Sequence, residues 1–433
     1  MKTLYKNGTV LTFNEEGSVV VIRNGYLGVE NDRICWLGDT PPEGDYDETK
    51  DMAGKIILPG LYNCHTHSPM VLLRGVGSDL PLDQWLFGEV CPIEDKLTPD
   101  DIEAGSYLAL MEMIAGGTVS FSDMYFSPER TATAVANSGM RANINRPVQS
   151  FDPNERPEDS VRIKEAQALY EQFNGCADGR VLIDWCIHAE YTCTEQIVRA
   201  VSDLCRQVNG NLHIHLSETE KEHLQCKEKY GKTPAEWFEV LGAFDCGAFA
   251  AHCVTLEDGD IEILKRHDVS VIHNPTSNLK LGSGIAPVQK FIDRGLNVAL
   301  GTDGAASNNN LNLFEELHLA ALINNGELRD ATVMTADSVL KMATVNGAVV
   351  QRRKDCGKLA VGYKADFIAV DTDRPHMTPC LDVPSLLVYS AQASDVALTV
   401  CDGKVLYENG EYKTIDSEKT YYNVRKTVER LYG

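Results

Sequence analysis

Histidine, aspartate and glutamate fall in this chain where a metal-assisted hydrolysis would need them. The run IILPGLYNCHTH, residues 56–67, reads as a short apolar strand ending in His65 and His67. Residues i and i+2 of a strand share a face, so the two imidazoles look the same way. Both charged, they would repel each other, and a divalent cation between them removes the conflict. Three further strand-like runs end in imidazoles: RVLIDWCIHAE (180–190) with His188, NLHIHLSE (211–218) with His215, and GAFAAHC (247–253) with His252. Glu218 follows His215 by three positions, and NVALGTDGAAS (297–307) carries Asp303. Five of the 11 histidines lie at these ends, a bias that scattered core histidines would not show.

Three imidazoles and a carboxylate, His65, His67, His215 and Asp303, make a donor set for one divalent ion. Zn2+ suits it, with Fe2+ or Mn2+ as alternatives. Such an ion lowers the pKa of water toward neutrality. Glu218 stands near the set without joining it, which suits a proton shuttle. His252 can orient the attacking water, and Asp303 can hold that water as well as the ion. Together these groups fit hydrolytic attack on an sp2 carbon with a protonated leaving group.

Such residues need a scaffold that gathers strand ends. Eight strand candidates alternate with helical segments between residues 56 and 307, which predicts an α/β fold. Eight units suit a (β/α)8 TIM-like barrel, where chemistry sits at the C-terminal ends of strands. An open doubly wound sheet is the alternative, but no GxGxxG turn follows the first strand. Residues 1–55 and 361–433 share another texture: short alternating runs such as TLYKNGTVLTF and ALTVCDGKVLYENGEYKTI, broken by Gly, Asn and Asp. They predict a small β-sandwich domain built from both termini, with a terminal helix, around a barrel spanning 56–360.

Composition excludes several classes. The 433 residues carry a formal net charge of −23, which argues against nucleic acid or an anionic membrane as partner. The 13 cysteines include no CxxC pair and read as reduced thiols. No signal-peptide pattern opens the chain, and no apolar run approaches the ~20 residues of a membrane span. A cytoplasmic protein is expected. Among the remaining histidines, His213 and His273 read as hydrogen-bonded core residues. His223 and His267, in charged helical segments, read as solvated.

PGLYNCHTH, HLSET, AAHC, IHNPTSNLKLGSGIAPV and LGTDGAASNNNLNLFEE resemble the amidohydrolase superfamily. HTHSPMVLLRG, DLPLDQWL and PIEDKLTPDD resemble, more narrowly, its 5′-methylthioadenosine/S-adenosylhomocysteine deaminase branch. The resemblance covers nearly the whole chain. It implies one metal, usually zinc, on His65, His67, His215 and Asp303. Glu218 would carry a proton to N1 of the purine, and His252 would assist the attacking hydroxide. His188 would contact substrate, Trp85 would cover the base or ribose side, and Arg146 would meet the ribose or an amino-acid tail. Ser307 falls near the same region. Arg156 is the nearest candidate for a second arginine after strand three, although QSFDPNERPEDS does not align clearly there. A homo-oligomer acting on a small nucleoside is implied.

Two other readings use the same residues. One is a deaminase or chlorohydrolase for another N-heterocycle, such as guanine, cytosine or a triazine. Glu218, DQWL and KLTPDD favour the nucleoside branch over it. The other is a non-catalytic scaffold, against which the complete donor set weighs. The absence of a lysine in IDWCIHAE favours one metal over two.

Overall fold

A computed structural model describes residues 1–433. The N-terminal segment forms β1 (Lys2–Phe13), β2 (Val19–Glu30), β3 (Arg33–Gly38), β4 (Glu48–Asp51) and β5 (Lys55–Pro59). The middle carries β6 (Leu61–Thr66), β7 (Thr118–Met124), β8 (Arg141–Asn145), β9 (Val181–Ile183), β10 (Trp185–Cys186), β11 (Asn211–Leu216), β12 (Gly247–His252), β13 (Ser270–His273) and β14 (Val298–Leu300). The C-terminal segment adds β15 (Phe367–Asp371), β16 (Val396–Cys401), β17 (Lys404–Glu408) and β18 (Glu411–Tyr412).

Both termini share one nine-stranded sheet of order β18-β17-β16-β15-β5-β1-β2-β3, with β4 paired to β1. The meeting strand is β5, parallel to β1 on one side and antiparallel to β15 on the other. Alternation along these strands turns Tyr5, Leu27, Ile57, Phe367 and Val400 into one buried cluster. The Tyr5 and Phe367 rings meet edge to face with centroids 4.9 Å apart.

The run expected as a single strand over 56–67 is two strands. Its first half belongs to the terminal sheet and its second half, β6, to a parallel sheet. Gly60 makes the break: a Cβ there would sit 2.3 Å from a Val119 methyl, so only glycine lets the two layers approach.

The middle strands form two parallel sheets, β6-β7-β8-β9 and β10-β11-β12-β13-β14. Every residue of β6, β7, β8 and β11 is buried, as expected for parallel strands covered on both faces. The two sheets share the run 181–186, whose β9 half pairs with β8 and whose β10 half pairs with β11. At the other edges, the Asp303 N–H donates to the His65 carbonyl at 2.9 Å. The Asn63 amide there bonds both the backbone and the hydroxyl of Thr302.

Helices pack outside these sheets and begin at legible caps. Thr98 and Asp101 form a capping box on the helix Pro99–Ala115, and Thr219 and Glu222 form one on Glu220–Tyr230. The C-terminal helix Ser417–Tyr432 lies on Pro99–Ala115, where Thr427 and Arg430 both bond the Asp101 carboxylate. Arg141 at the start of β8 is buried between Asp366 and Asp402, tying the parallel layer to the terminal sheet. No helix is long and apolar enough to cross a membrane.

Candidate active site

The ends of β6, β11 and β14 bring His65, His67, His215 and Asp303 together. Each imidazole has Nδ1 engaged away from the centre. The Nδ1–H of His67 donates to the Met124 carbonyl at 2.6 Å, and that of His215 to the His188 carbonyl at 2.9 Å. A carbonyl only accepts, so in the neutral rings both Nε2 atoms keep a lone pair. These two Nε2 atoms lie 3.4 Å apart. His65 Nε2 is buried without a hydrogen-bond partner. Asp303 Oδ1 lies 3.5 Å from it and 3.2 Å from His67 Nε2. Three inward nitrogens, one of them buried without a partner, and a carboxylate fit a divalent cation better than a hydrogen-bonded core.

His213 supports this geometry from below. Its Nε2 is 2.8 Å from His65 Nδ1, and its Nδ1 is 3.1 Å from the Asn145 side-chain amide. A metal on His65 Nε2 would leave the His65 proton on Nδ1, facing His213 Nε2, and would put the His213 proton on Nδ1. Asn145 presents Nδ2 there and leaves its Oδ1 without a partner, so the metal-bound state would call for the amide turned over.

Electrostatics agree with the donor set. Burial pushes His65 down to about 4 and holds His215 well below the usual histidine range, so both rings stay neutral. Burial also opposes charge on His67, but Asp303 and the Met124 carbonyl outweigh it and raise the group to about 9. A proton and a cation thus compete for one place. Burial disfavours the Asp303 anion, yet His65 and His67 hold it well below the usual carboxylate range.

Backbone strain collects at the same ends. Ser217, His252, Cys253 and Asp303 take φ of 46°, 74°, 50° and 63°, in a region that non-glycine residues enter at a cost of about 1–3 kcal/mol each.

A cavity of about 670 Å3 opens over the cluster. Glu218 and His252 stand at its floor, with Glu218 Oε2 3.9 Å from His252 Nε2. The His252 Nδ1–H donates to Asn278 Oδ1 at 2.9 Å, which aims Nε2 inward. The nitrogens of His65, His215 and His252 lie within 4.8 Å of one another, so His252 borders the same centre. Burial raises Glu218 to about 7, helped by Asp303 and Glu222, a value suited to taking and giving a proton near neutrality. Burial lowers His188 to about 3, which keeps it neutral beside the cluster.

The sequence model described as the Amidohydrolase family matches residues 56–406. The chain belongs to that family. It is 44% identical over 436 residues to a 5-methylthioadenosine/S-adenosylhomocysteine deaminase of Acetivibrio thermocellus, covering 100% of both chains. It is 44% identical over 428 residues to a 5′-deoxyadenosine deaminase of Methanosarcina acetivorans, covering 99% of this chain and 98% of that one. The crystal structure of an adenosine deaminase from Xanthomonas campestris with bound Zn superposes with a TM-score of 0.94 at 31% identity, over 99% of this chain and 98% of that one.

Within this amidohydrolase, Trp85, Arg146 and His188 line the cavity with the floor residues. Trp85 opens a π-helical turn, Trp85–Val90, and is buried, its Nε1–H donating to the Val76 carbonyl at 3.2 Å. Ser307 stands behind Asp303, to which its hydroxyl donates at 3.0 Å. Arg156 lies apart from the cavity: its side chain is 64% exposed and paired with Asp159 and Glu158.

Among the lining residues that the sequence reading did not single out are Glu94, Tyr125, Arg162 and Tyr191. Tyr125 directly follows β7, a strand end that carries no histidine to mark it, and its hydroxyl donates to Glu94 at 2.6 Å. Arg162, in the helix Val161–Phe173, is the arginine that reaches the cavity beyond strand three. Two histidine readings also change. His223 is buried, not solvated, with Nδ1 3.3 Å from Ser217 Oγ and Nε2 3.2 Å from Glu257. His273 is buried, but neither ring nitrogen has a partner.

Proposed function

We propose that this protein is a hydrolytic deaminase converting an adenine nucleoside derivative to the inosine derivative and ammonia. S-adenosylhomocysteine, 5′-methylthioadenosine, adenosine and 5′-deoxyadenosine all carry the base that the site addresses. The observation that carries the reading is Glu218, a buried carboxyl poised near neutrality beside His252 in the cavity that opens over the histidine cluster. Full-length identity to deaminases of tailed adenosines supports it.

His65, His67, His215 and Asp303 are assigned as the ligands of one divalent cation. Zinc is favoured over iron or manganese by the zinc in the Xanthomonas campestris structure. When bound, the cation acidifies water at neutral pH and so supplies the nucleophile. The chain's own residues do the rest. His252, its Nδ1 held by Asn278, turns Nε2 toward the attacking oxygen. Glu218 takes a proton from the water and delivers it to N1 of the purine as the oxygen adds to C6. The hydroxyl added at C6 then gives up its proton, which Glu218 carries to the amino nitrogen; the C6–N6 bond breaks, leaving the C6 carbonyl and releasing ammonia. Asp303 holds the attacking oxygen opposite Glu218. Trp85 covers the base, His188 contacts the substrate, and Ser307 keeps Asp303 in place. Arg146 meets the ribose or its tail, and Arg162 takes the role first sought in Arg156.

The shared run 181–186 and the bonds from β6 to Thr302 and Asp303, just past β14, support a barrel closed through all eight units. Expected over 56–360, it begins after Gly60, because β5 belongs to the terminal sheet. We read the single nine-stranded sheet of both termini as a β-sandwich built from 1–55 and 361–433, with the cluster around Tyr5 and Phe367 as the apolar face it would enclose. We place the enzyme in the cytoplasm as a homo-oligomer, a reading that rests on its thiols and on the family resemblance.

The test is direct. The zinc-loaded protein is incubated with adenine nucleosides, guanine and cytosine, and ammonia release and the ultraviolet shift from adenine to hypoxanthine are followed. Turnover of adenine nucleosides is expected. Turnover of guanine or cytosine alone, or of nothing with the metal bound, overturns the reading.

A further inference from the structure

We infer that Glu222, backed by Glu190, is a positioning residue that sets the place of Glu218. The inference rests on the proton-shuttle role proposed for Glu218.

Glu222 is the third residue of the helix Glu220–Tyr230, and its plain role is the capping box with Thr219. A capping-box carboxylate ordinarily takes the N–H of the cap residue. Here that bond, from Thr219 N–H, is the longest of three, at 3.4 Å. The shorter ones come from the turn that carries the shuttle: Ser217 N–H to Oε1 and Glu218 N–H to Oε2, both 2.9 Å. Both carboxylate oxygens are therefore committed to the backbone of the catalytic turn. That turn is strained at Ser217, where φ is 46°, so something must hold it.

Glu222 is buried, and an isolated buried carboxylate is costly. Glu190, buried in the turn Glu190–Thr192 that follows His188, leaves its Oε2 without a hydrogen-bond partner, and burial together with the Glu222 carboxylate holds its carboxyl well above the usual range. A protonated Glu190 facing Glu222 would satisfy that oxygen, offset the cost of the buried carboxylate, and tie the turn after β10 to the turn after β11.

A glutamine at 222 offers one oxygen where two are used and sets an NH2 group against a backbone N–H. A glutamine at 190 still offers an N–H donor to Glu222. These chemistries separate positioning from general stability. Glu222→Gln is expected to retain its metal and to lose kcat about 100-fold, the scale of a small misplacement of a reacting group, with KM changed less than about threefold. Glu190→Gln is expected to keep most of kcat, whereas Glu190→Ala loses about tenfold or more. Thr219→Ala removes the other half of the capping box. It is expected to lower the melting temperature while leaving kcat near the parent value.

Each variant is assayed as the zinc-loaded enzyme with metal content and thermal unfolding measured alongside. Equal kcat in Glu222→Gln and the parent overturns the inference. So does loss of kcat in Thr219→Ala matching that in Glu222→Gln, which would make helix capping the cause. Equal damage from Gln and Ala at 190 removes Glu190 as the donor. An inactive parent enzyme would instead defeat the deaminase reading itself, so the two failures are distinguishable.

Discussion

The hydroxyl of Ser277 donates to Asp303 Oδ2 across 2.6 Å, and with the Ser307 hydroxyl on the same oxygen and the Gly304 N–H on Oδ1 at 2.7 Å it fixes which oxygen of Asp303 faces the histidines. With Oδ2 occupied by Ser277 and Ser307, Oδ1 alone remains for His65 and His67. Ser277 belongs to the short helix Pro275–Lys280 after β13, a strand end that contributes no ligand of its own. Ser277→Ala removes the shortest of the three bonds that orient the carboxylate. Metal affinity is expected to fall about 10-fold or more, read by competition with a chelator. Affinity equal to the parent would show that Ser307 suffices.

Glu218→Gln removes the proton carrier while keeping its size. Metal content should stay at the parent stoichiometry while kcat falls about 100-fold or more. Ammonia release against metal analysis checks both. Full activity in the variant would remove Glu218 from proton transfer.

Arginine roles separate by substrate tail. Arg146 touches Glu165 at 2.7 Å and lies over the Phe126 ring, while Arg162 shares the cavity wall. Replacing either by Ala should raise KM for S-adenosylhomocysteine about 10-fold, with a smaller change for 5′-deoxyadenosine. Arg156→Ala should leave both KM values unchanged. A rise confined to Arg156→Ala would reverse the assignment.

Glu316 gives a pH signature outside the chemistry. It is fully buried, accepting from Asn308 Nδ2 at 2.7 Å and Thr276 N–H at 3.1 Å. Burial outweighs these donors and raises it to about 8 from 4.5. Between those values the folded chain holds a proton that the unfolded chain has released. Its contribution to stability is therefore complete below pH 4.5 and is lost as pH rises toward about 8. Glu316→Gln should flatten this fall. Urea midpoints at pH about 5 and about 8 measure it, and equal slopes in both proteins would show that Glu316 ionises normally.

The candidate cluster was legible because its residue types are uncommon and each lies at or just past the end of an apolar run. The two-residue period of β6 and β11 orients His65 and His215. His67 instead follows the last residue of β6, and Asp303 lies three residues past β14 with a φ of 63°, so residue type and place in the run, not the period, marked those two. Glu94, Tyr125 and Arg162 were not legible, because loop paths and a helix start decide where they point, and neither leaves a period in sequence. Arg156 shows the converse: close in sequence to the right place, it turns outward to Asp159. His223 was misread because the charge around it suggested solvent, whereas its ring is clamped between Ser217 and Glu257. The α/β alternation was visible throughout, but the break at Gly60 was not, since its cause is a methyl of Val119 on another strand.

The sheet shared by both termini has a consequence for how the enzyme assembles. The Thr12 hydroxyl donates to the Leu359 carbonyl across 347 positions, and β5 pairs with β15 over a comparable span. Contacts this distant along the chain form slowly, because the intervening loop must close before any bond rewards it. One residue, Gly60, joins this late-forming sheet to β6 and so to His65 and His67. Competence to hold the metal should therefore be among the last properties a refolding chain regains, after most of its helix content has already returned.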